Sequence, residues 1–458
     1  MTRLSVLFIS CEFPPDGSPG AIRNVAFAKH LTEHGFNVSV VRELHVPIGH
    51  TPKWEFVSKV EIPSAQRRAV HAKPTISRAQ TMLSYVTTRL DVSYVGILNL
   101  VETVTARHES QPFDLIYASC NPLSAAVAGM RIKNKLGIPL IVEFRDPWLN
   151  NPVRVWPTIF HYWWEKRLLR RTLSACDQVI MNTPTARANL LKQLNGRLAE
   201  DQIHVIPHSF DADRIHVAET AGRAKGPITL GYSGGFYATA RPRSRNMFRR
   251  AFSYTPFERS CVDRRLSSPR PLFDAFRQLI DQDESYKSRL CLRFLDSLKP
   301  DDISYAKEIG IWKHLILEPR RPPHEISLFL NSCDALYLTN PVFPNLRSPF
   351  ISTKTVEYIA TGKPIVAFLS DSDNRDIARR SGLARLVEPL TVEMLTRTLA
   401  ELVDDLEQGA ALTPDWNYIR RFDRSRHARH LAAVFQQALN IQPKRTITTD
   451  CFSTQRAA

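Results

Sequence analysis

No two of the seven cysteines stand in a C-x-x-C pair. They are scattered, at Cys11, Cys120, Cys176, Cys261, Cys291, Cys333 and Cys451, and their number is odd. The pattern argues against a disulfide framework and against a zinc site, and it points to reduced thiols in a cytosolic protein. Long apolar runs are missing too. No segment approaches the roughly 20 apolar residues of a membrane-crossing helix, so contact with a membrane is expected only from its cytoplasmic surface. The opening "MTRLSVLFISC" has the basic start of a secretory signal. Its apolar run, Leu4 to Ile9, is too short for one, and the residues after it read as fold, not as a cleavage site. A third absence is the fingerprint of dinucleotide enzymes. There is no G-x-G-x-x-G and no acidic residue placed to hold a dinucleotide ribose, so nicotinamide chemistry is not expected.

What is present is an ordinary globular composition with an unusual charge. The 458 residues suffice for two or three domains with proper cores, and 43% hydrophobic and 23% charged residues suit a soluble protein. The net charge is +16, a balance that fits nucleic acid, an anionic membrane surface or a phosphorylated substrate. The excess is concentrated. Residues 238–270 hold nine Arg, no Lys and two acids, Glu258 and Asp263, a local +7 that leaves about +9 for the rest.

The chain reads as alternating strands and helices. Residues 4–10 form an apolar strand, the loop "CEFPPDGSP" comes next, and Ser18 and Pro19 supply an N-cap and first helical residue. Ile22, Val25, Ala26 and Leu31 share a helical face, Gly35 closes the helix, and "FNVSVV" is the next strand. The alternation resumes at "FDLIYAS", "PLSAAVAGMRIKNKLG" and "IPLIVEF", then a basic aromatic helix from Ile159 to Leu173, then the strands "DQVIMNT" and "IHVIP". Periodicity stops after His208. A second series runs from Ile228 through "LCLRFLD", "HLILEP", "ALYLT", "KPIVAFL" and "ARLVEP", with helices between them. The expected fold class is α/β, with two Rossmann-like doubly wound domains facing a cleft. The expected divisions are residues 1–210, a linker at 211–227, a second domain at 228–415, a helix within 416–440 and a disordered tail at 441–458.

Two loops are placed to receive an anion. "PPDGSPG" and "YSGGF" each join a strand to a helix, where backbone N–H groups and the positive end of the helix dipole converge. Each reads equally as a tight βα turn. The sharpest local signal is "SPFISTKTVEYIATGKPIVAF": Ser352 caps a helix, Lys354 lies in its first turn and Glu357 one turn on along the same face. A cation in a first turn opposes the helix dipole by a few tenths of a kcal/mol, roughly. It therefore suggests a bound anion more than helix stabilisation, while a carboxylate beside it suits two vicinal sugar hydroxyls. The plainer reading is a surface Lys–Glu pair.

This stretch resembles the C-terminal domain of GT-B glycosyltransferases of the family 4 group. "VLFISCEFPPDGSPGAIRNVAFAKHLTEHGFNVSVV", "FDLIYASCNPLSAAVAG", "KLGIPLIVEFRDPW", "CDQVIMNTPTARANL" and "IHVIPHSFD" resemble that family's N-terminal domain in order and spacing. The resemblance covers most of residues 4–235 and 270–440. It implies a metal-independent transferase that retains anomeric configuration. The donor is a UDP- or GDP-linked sugar in the C-terminal domain, and a glycan or lipid-linked acceptor lies in the N-terminal one, with no resident cofactor. It implies that Glu357 holds the donor ribose, that Lys354, Gly234 and Gly235 line the phosphates, and that Arg320 and Arg321 are further donor-side residues. Gly17, Gly20 and Arg23 would belong to the N-terminal Gly-loop, and Arg145 and Asp146 of "FRDPW" would lie next to the reacting sugar. The family often has a second glutamate eight positions before the first; here that position is Pro349.

The product expected on this resemblance is a surface polysaccharide, lipopolysaccharide or glycolipid. Competing readings are a nucleotide-sugar epimerase of the same fold, an inactive relative, or a nucleic-acid binder explained by charge alone. No nucleic-acid motif supports the last. The helix "TIFHYWWEKRLLRRTL" reads either as a docking element for an anionic membrane or as a plain helix with core aromatics and solvated cations. Residues 67–78, also basic, read as an acceptor border or a plain loop. Finally, "GYSGGFY" leads into the arginine-rich stretch and not directly into "PRPLFDAFRQLIDQ". Residues 238–268 are expected to be an insertion.

Overall fold

The computed structural model describes residues 3–10, 12–13, 18–43, 58–62, 96–121, 123–156, 159–194, 196–212, 226–236, 257–258, 263, 265–296, 298–322, 325–343, 346–410 and 412–440. Two compact units divide the chain. The first takes Met1–Pro207, Arg250–Arg259 and Arg424–Phe452, and the second His208–Arg249, Ser260–Asp423 and Ser453–Ala458.

In the first unit, strands β1 (Leu4–Ile9), β2 (Phe36–Glu43), β3 (Ser58–Ile62), β4 (Leu115–Cys120), β5 (Leu140–Phe144), β7 (Gln178–Met181) and β8 (Ile203–Val205) form one sheet. Its order is β3-β2-β1-β4-β5-β7-β8, and every pairing is parallel. Strands of this kind are covered on both faces and so read as continuous apolar runs. Side-chain alternation sorts them into two cores. Leu7, Ile9, Ile116, Ala118 and Val142 face one way. Val6, Phe8, Leu115, Tyr117 and Ile141 face the other. Helix α1 (Pro19–Glu33) starts where expected: Ser18 Oγ accepts from Ala21 N at 3.2 Å, with Pro19 behind it. Between β2 and β4 the sequence carries little period, yet β3 and helix α2 (Gly96–Ser110) form there. Helices α3 (Ser124–Leu136), α4 (Ile159–Ser174) and α5 (Pro184–Leu194) complete the layers. Gly137, at φ 71°, ends α3 as a left-handed cap.

The second unit repeats the plan. Strands β9 (Ile228–Ser233), β11 (Leu290–Leu295), β12 (Leu315–Glu318), β13 (Ala335–Thr339), β14 (Ile365–Phe368) and β15 (Ala384–Leu386) form a parallel sheet of order β12-β11-β9-β13-β14-β15. Helices α6 (Arg270–Gln282), α7 (Pro300–Glu308), α8 (Ile326–Asn331), α9 (Thr353–Ala360), α10 (Asp373–Arg380) and α11 (Val392–Glu407) flank it.

The last helix differs from its expected form. A single amphipathic helix from Tyr418 to Leu439 is interrupted. Helix α12 (Trp416–Ile419) runs into a tight turn, Arg420–Phe422, and α13 (Arg424–Ala438) then belongs to the first unit. The break has a tertiary cause. Asp423 is extended, and the Phe422 carbonyl accepts the Phe210 N–H at 3.2 Å in place of a helical donor. Helix α13 buries Ala428, Leu431, Val434 and Phe435 in the core that contains Val6 and Phe8. The Phe435 ring lies 5.5 Å from Phe36 and 5.2 Å from Tyr117.

The tail at 441–458, residues 67–78 and most of the expected linker and insertion lie outside the described residues. Strand β10 (Phe257–Glu258), inside the expected insertion, pairs antiparallel with β6 (Val155–Trp156) of the first unit. The end of the stretch is integral to the second unit: Asp263 N bonds Val342 O at 2.8 Å, and Ser267 and Ser268 are buried.

Because Phe435 is fully buried against two aromatic rings, Phe435→Ala should cost about 3–5 kcal/mol. A urea melt read by circular dichroism checks this, with a clear drop in the midpoint of the first unit's transition as the expected result.

Candidate active site

In an open parallel sheet, ligands gather outside the carboxyl ends of the strands, where neighbouring crossovers leave in opposite directions. Each sheet has one such point: beside β1 in the first unit and beside β9 in the second, since each is flanked by a strand on either side that the chain reaches later.

In the second unit, β9 ends in the turn Gly234-Gly235. Gly234 has φ 77°, a left-handed conformation that favours glycine, and a Cβ there would stand 3.1 Å from Lys354 Cε. Its N–H is held by Leu295 O at 3.2 Å. Lys354 reaches this turn from the first turn of α9, whose N-cap Ser352 accepts from Lys354 N at 3.2 Å. The ammonium donates to Tyr232 Oη at 3.1 Å and to Gly235 O at 3.4 Å, and lies 4.8 Å from the Tyr232 ring centroid. Tyr232 is itself fixed by stacking on Phe236 at 3.9 Å. Burial lowers the Lys354 ammonium from its ordinary value to about 8, against the opposing pull of Glu357.

The helix that carries Lys354 is pinned by residues with no outward signal in the sequence. Tyr358, one turn on and fully buried, accepts from Ser233 N at 3.0 Å and so ties α9 to the end of β9. Asn374, at the start of α10, accepts from Ser352 N at 2.8 Å and from Thr355 Oγ1 at 2.7 Å, and donates to Phe350 O at 3.0 Å. Glu357 is half-buried on the same helix. The structure thus brings Gly234, Gly235 and Lys354 together, with Glu357 one turn beyond. Arg320 and Arg321 make their contacts elsewhere: Arg321 with Glu318, and Arg320, 81% exposed, with Asp296 at 4.0 Å.

In the first unit, the chain after β1 delivers Glu12 and the chain after β5 delivers Arg145, and the two charges meet at 2.5 Å. They lie against the first turn of α1. A Cβ on Gly20 would fall 1.6 Å from Glu12 Oε2 and 1.7 Å from Arg145 Nη1, so a side chain there would have to displace this ion pair. Arg145 is 8% exposed; its Nη2 pairs with Glu12 Oε2, and among the described residues its buried Nε has no hydrogen-bond acceptor. Burial opposes its charge, but the hydrogen bond and charge of Glu12 outweigh that and raise its pKa. Asp146 accepts from Asn121 Nδ2, beyond β4, at 3.3 Å. Burial raises its pKa, opposed by Arg145 and Asn121. Glu12 and Asn121 are additions to the expected set. Their signal was position alone, each directly past a central strand.

Arg23 has a different place from the one expected. It is 3% exposed; Nε and Nη2 donate to Glu143 Oε1 at 3.1 and 2.7 Å, Nη1 to Pro207 O at 2.6 Å, and Nη2 also to Ile206 O at 2.8 Å. The reason is reach: one turn past Gly20, it points into the sheet, where β5 offers a buried carboxylate. Gly17 lies outside the described residues. Among the described residues no group of three or more His, Cys, Asp or Glu could hold a metal ion.

Residues 21–214 match the family model described as Glycosyltransferase Family 4. No curated protein sequence matched the chain. Solved structures are similar across nearly the whole length at low identity. Sucrose-phosphate synthase from Thermosynechococcus elongatus superposes with a TM-score of 0.61 at 14% identity, over 96% of this chain and 100% of that one. The lipopolysaccharide outer core galactosyltransferase WaaB, in its apo form, gives 0.56 at 11%, over 95% and 99%. HepE from Anabaena, in complex with UDP, gives 0.54 at 14%, over 95% and 100%. The chain has the GT-B fold, and the family 4 match falls on residues 21–214 of it.

Proposed function

We propose that the protein is a retaining, metal-independent glycosyltransferase. It moves a sugar from a UDP- or GDP-linked donor to a glycan or lipid-linked acceptor, in surface polysaccharide or lipopolysaccharide synthesis. The observation that carries this reading is Lys354: a half-buried ammonium at a helix N-terminus, held over a glycine turn by neutral oxygens only. A diphosphate placed there gains the cation, the helix dipole and the backbone N–H groups of the turn. HepE, of similar fold, has been solved with UDP.

The residue roles follow from the chemistry. Departure of a nucleoside diphosphate leaves negative charge on the phosphate oxygens, and Lys354 with Gly234 and Gly235 stabilises it. Glu357, one turn along the helix, accepts from the ribose hydroxyls. Arg320 and Arg321 stand further out on the donor side. In the first unit, Arg145 and Asp146 contact the reacting sugar or the acceptor, and the unfilled Nε of Arg145 supports that role. Gly20 keeps the approach narrow.

The deciding experiment is a thermal-shift series with UDP, GDP, DNA and RNA. At about 100 times its Kd a nucleotide adds about 2.7 kcal/mol, a rise of several degrees. UDP or GDP should give this rise in the wild type and lose most of it in Glu357→Ala. Stabilisation by nucleic acid alone would refute the reading. Incubation with the nucleotide-sugar that stabilises best, plus membrane extract, should then yield a glycosylated acceptor. Formation of an epimeric nucleotide-sugar instead would select the epimerase.

A pH series tests Lys354 separately. A depressed lysine is charged below its pKa and neutral above it. NMR of labelled lysine should show a midpoint near 8, and Glu357→Gln should lower it further by removing the stabilising anion. Diphosphate binding favours the ammonium, so above pH of about 8 binding must take up protons and weaken as pH rises. Calorimetry of UDP in buffers of different ionisation enthalpy reads that uptake directly, and none should appear at pH well below 8.

A further inference from the structure

The basic aromatic helix α4 leaves an unusual face uncovered. Phe160 is 78% exposed, Trp163 55% and Ile159 44%, with Val153 close by in sequence at 38%. Half of the large apolar side chains exposed among the described residues are these four, and the only aromatics among them are Phe160 and Trp163. At roughly 100° per residue, Ile159, Phe160, Trp163, Lys166, Arg167, Arg170 and Arg171 fall within an arc of about 140°. Lys166 Nζ lies over the Trp163 ring at 4.6 Å.

The opposite face is the core side, with Tyr162, Leu169, Thr172 and Leu173 buried. The one acid of the helix, Glu165, is on that side too. It is 4% exposed and accepts from Trp148 Nε1 and Trp156 Nε1, each at 3.0 Å, and from Arg154 at 2.9 Å. Apart from Ser174 in the last turn, the outward arc is therefore apolar and cationic and carries no acid. Its two characters are also separated along the axis: apolar side chains over the first turn, cations over the next two.

We infer that this face docks on the surface of an anionic lipid bilayer. Aromatic side chains at the leading end fit the boundary between headgroups and acyl chains, while the cations behind them reach the phosphates. The charge is complementary to such a surface, and attraction grows with each added cation. An acidic protein or nucleic acid would match the cations but would leave Phe160 and Ile159 against polar groups. A second copy of the chain would set like charges face to face. The inference goes beyond the proposed transfer reaction and uses none of the residues assigned to it.

The test is flotation of the full-length protein with phosphatidylcholine vesicles, with and without phosphatidylglycerol. Protein should float with the anionic vesicles at least about tenfold more than with the neutral ones, and salt should weaken binding. Phe160→Ser/Trp163→Ser should lose at least about tenfold of that binding, and Lys166→Glu/Arg167→Glu should abolish the preference for phosphatidylglycerol. Trp163 fluorescence in the wild type should shift to the blue on binding. These side chains are exposed, so both variants should keep the wild-type melting temperature and UDP response, which separates this test from that of the donor site. Equal flotation with both vesicles, no flotation, or flotation untouched by either variant overturns the inference. So does a wild-type dimer on size exclusion that the serine variant converts to monomer without any vesicle binding.

Discussion

A single buried carboxylate organises the first unit. Glu143, 1% exposed near the end of β5, accepts from Arg23, from Tyr117 Oη at 2.7 Å and from Ser119 Oγ at 2.8 Å. Burial works against its charge, but the guanidinium and these hydrogen bonds hold its pKa below the ordinary value. From Ser119 the network passes to Asn24 at 3.1 Å, and Asn24 donates to Ser10 Oγ and Glu12 O, each at 2.8 Å. Glu12 then meets Arg145. Glu143 and Arg145, two residues apart at the strand end, share one side of the sheet. So the group that stabilises the interior and the group proposed to face a ligand are two ends of one polar chain. Removing a partner from a buried pair costs about 3–5 kcal/mol, so this chain is held as a unit. Arg23 extends it to the carbonyls of Ile206 and Pro207, at the end of the first unit's long N-terminal segment.

Much of this could be read from the residues. Ser18-Pro19, Gly35, Gly137 and the apolar runs place α1, β2, α3, β4 and β5 because caps and continuous buried strands are local signals. The order of those elements then determines the sheet. The interruption at Asp423 was not legible, because it depends on Phe210 being brought to the Phe422 carbonyl from more than 200 residues away. Nor was the attachment of α13 to the first unit, since its apolar face states only that it packs, not against what.

The site was legible in the same uneven way. Glycines at a strand end and a cation in a helical first turn violate local preference, and such violations are visible without a structure. Tyr358 and Asn374 violate nothing. A buried tyrosine and an N-terminal asparagine satisfy ordinary rules, and their part in aiming Lys354 emerges only when β9, α9 and α10 converge. Arg23 shows the converse. Its position in a Gly-loop helix suggested a ligand, while its side chain answers a carboxylate on a strand 120 residues later.

The two switch points are satisfied differently, and this contrast bears on how labour is divided. Arg145 has a carboxylate partner that raises its pKa despite burial, whereas Lys354 has neutral oxygens and a depressed one. A neutralised cation gains little from a further anion, because the added charge must compete with Glu12. A cation held only by a phenol and a carbonyl gains a great deal, because an incoming phosphate supplies the countercharge that burial has withheld. On the proposed function, anion affinity therefore belongs to the second unit. On the same reading, the first unit, whose cation is already paired, holds an uncharged hydroxyl or ring, with Gly20 limiting how close it comes. On the proposed function, a fold that repeats one architecture twice separates binding of a charged donor from positioning of a neutral acceptor by how directly a carboxylate pairs with the cation at each switch point.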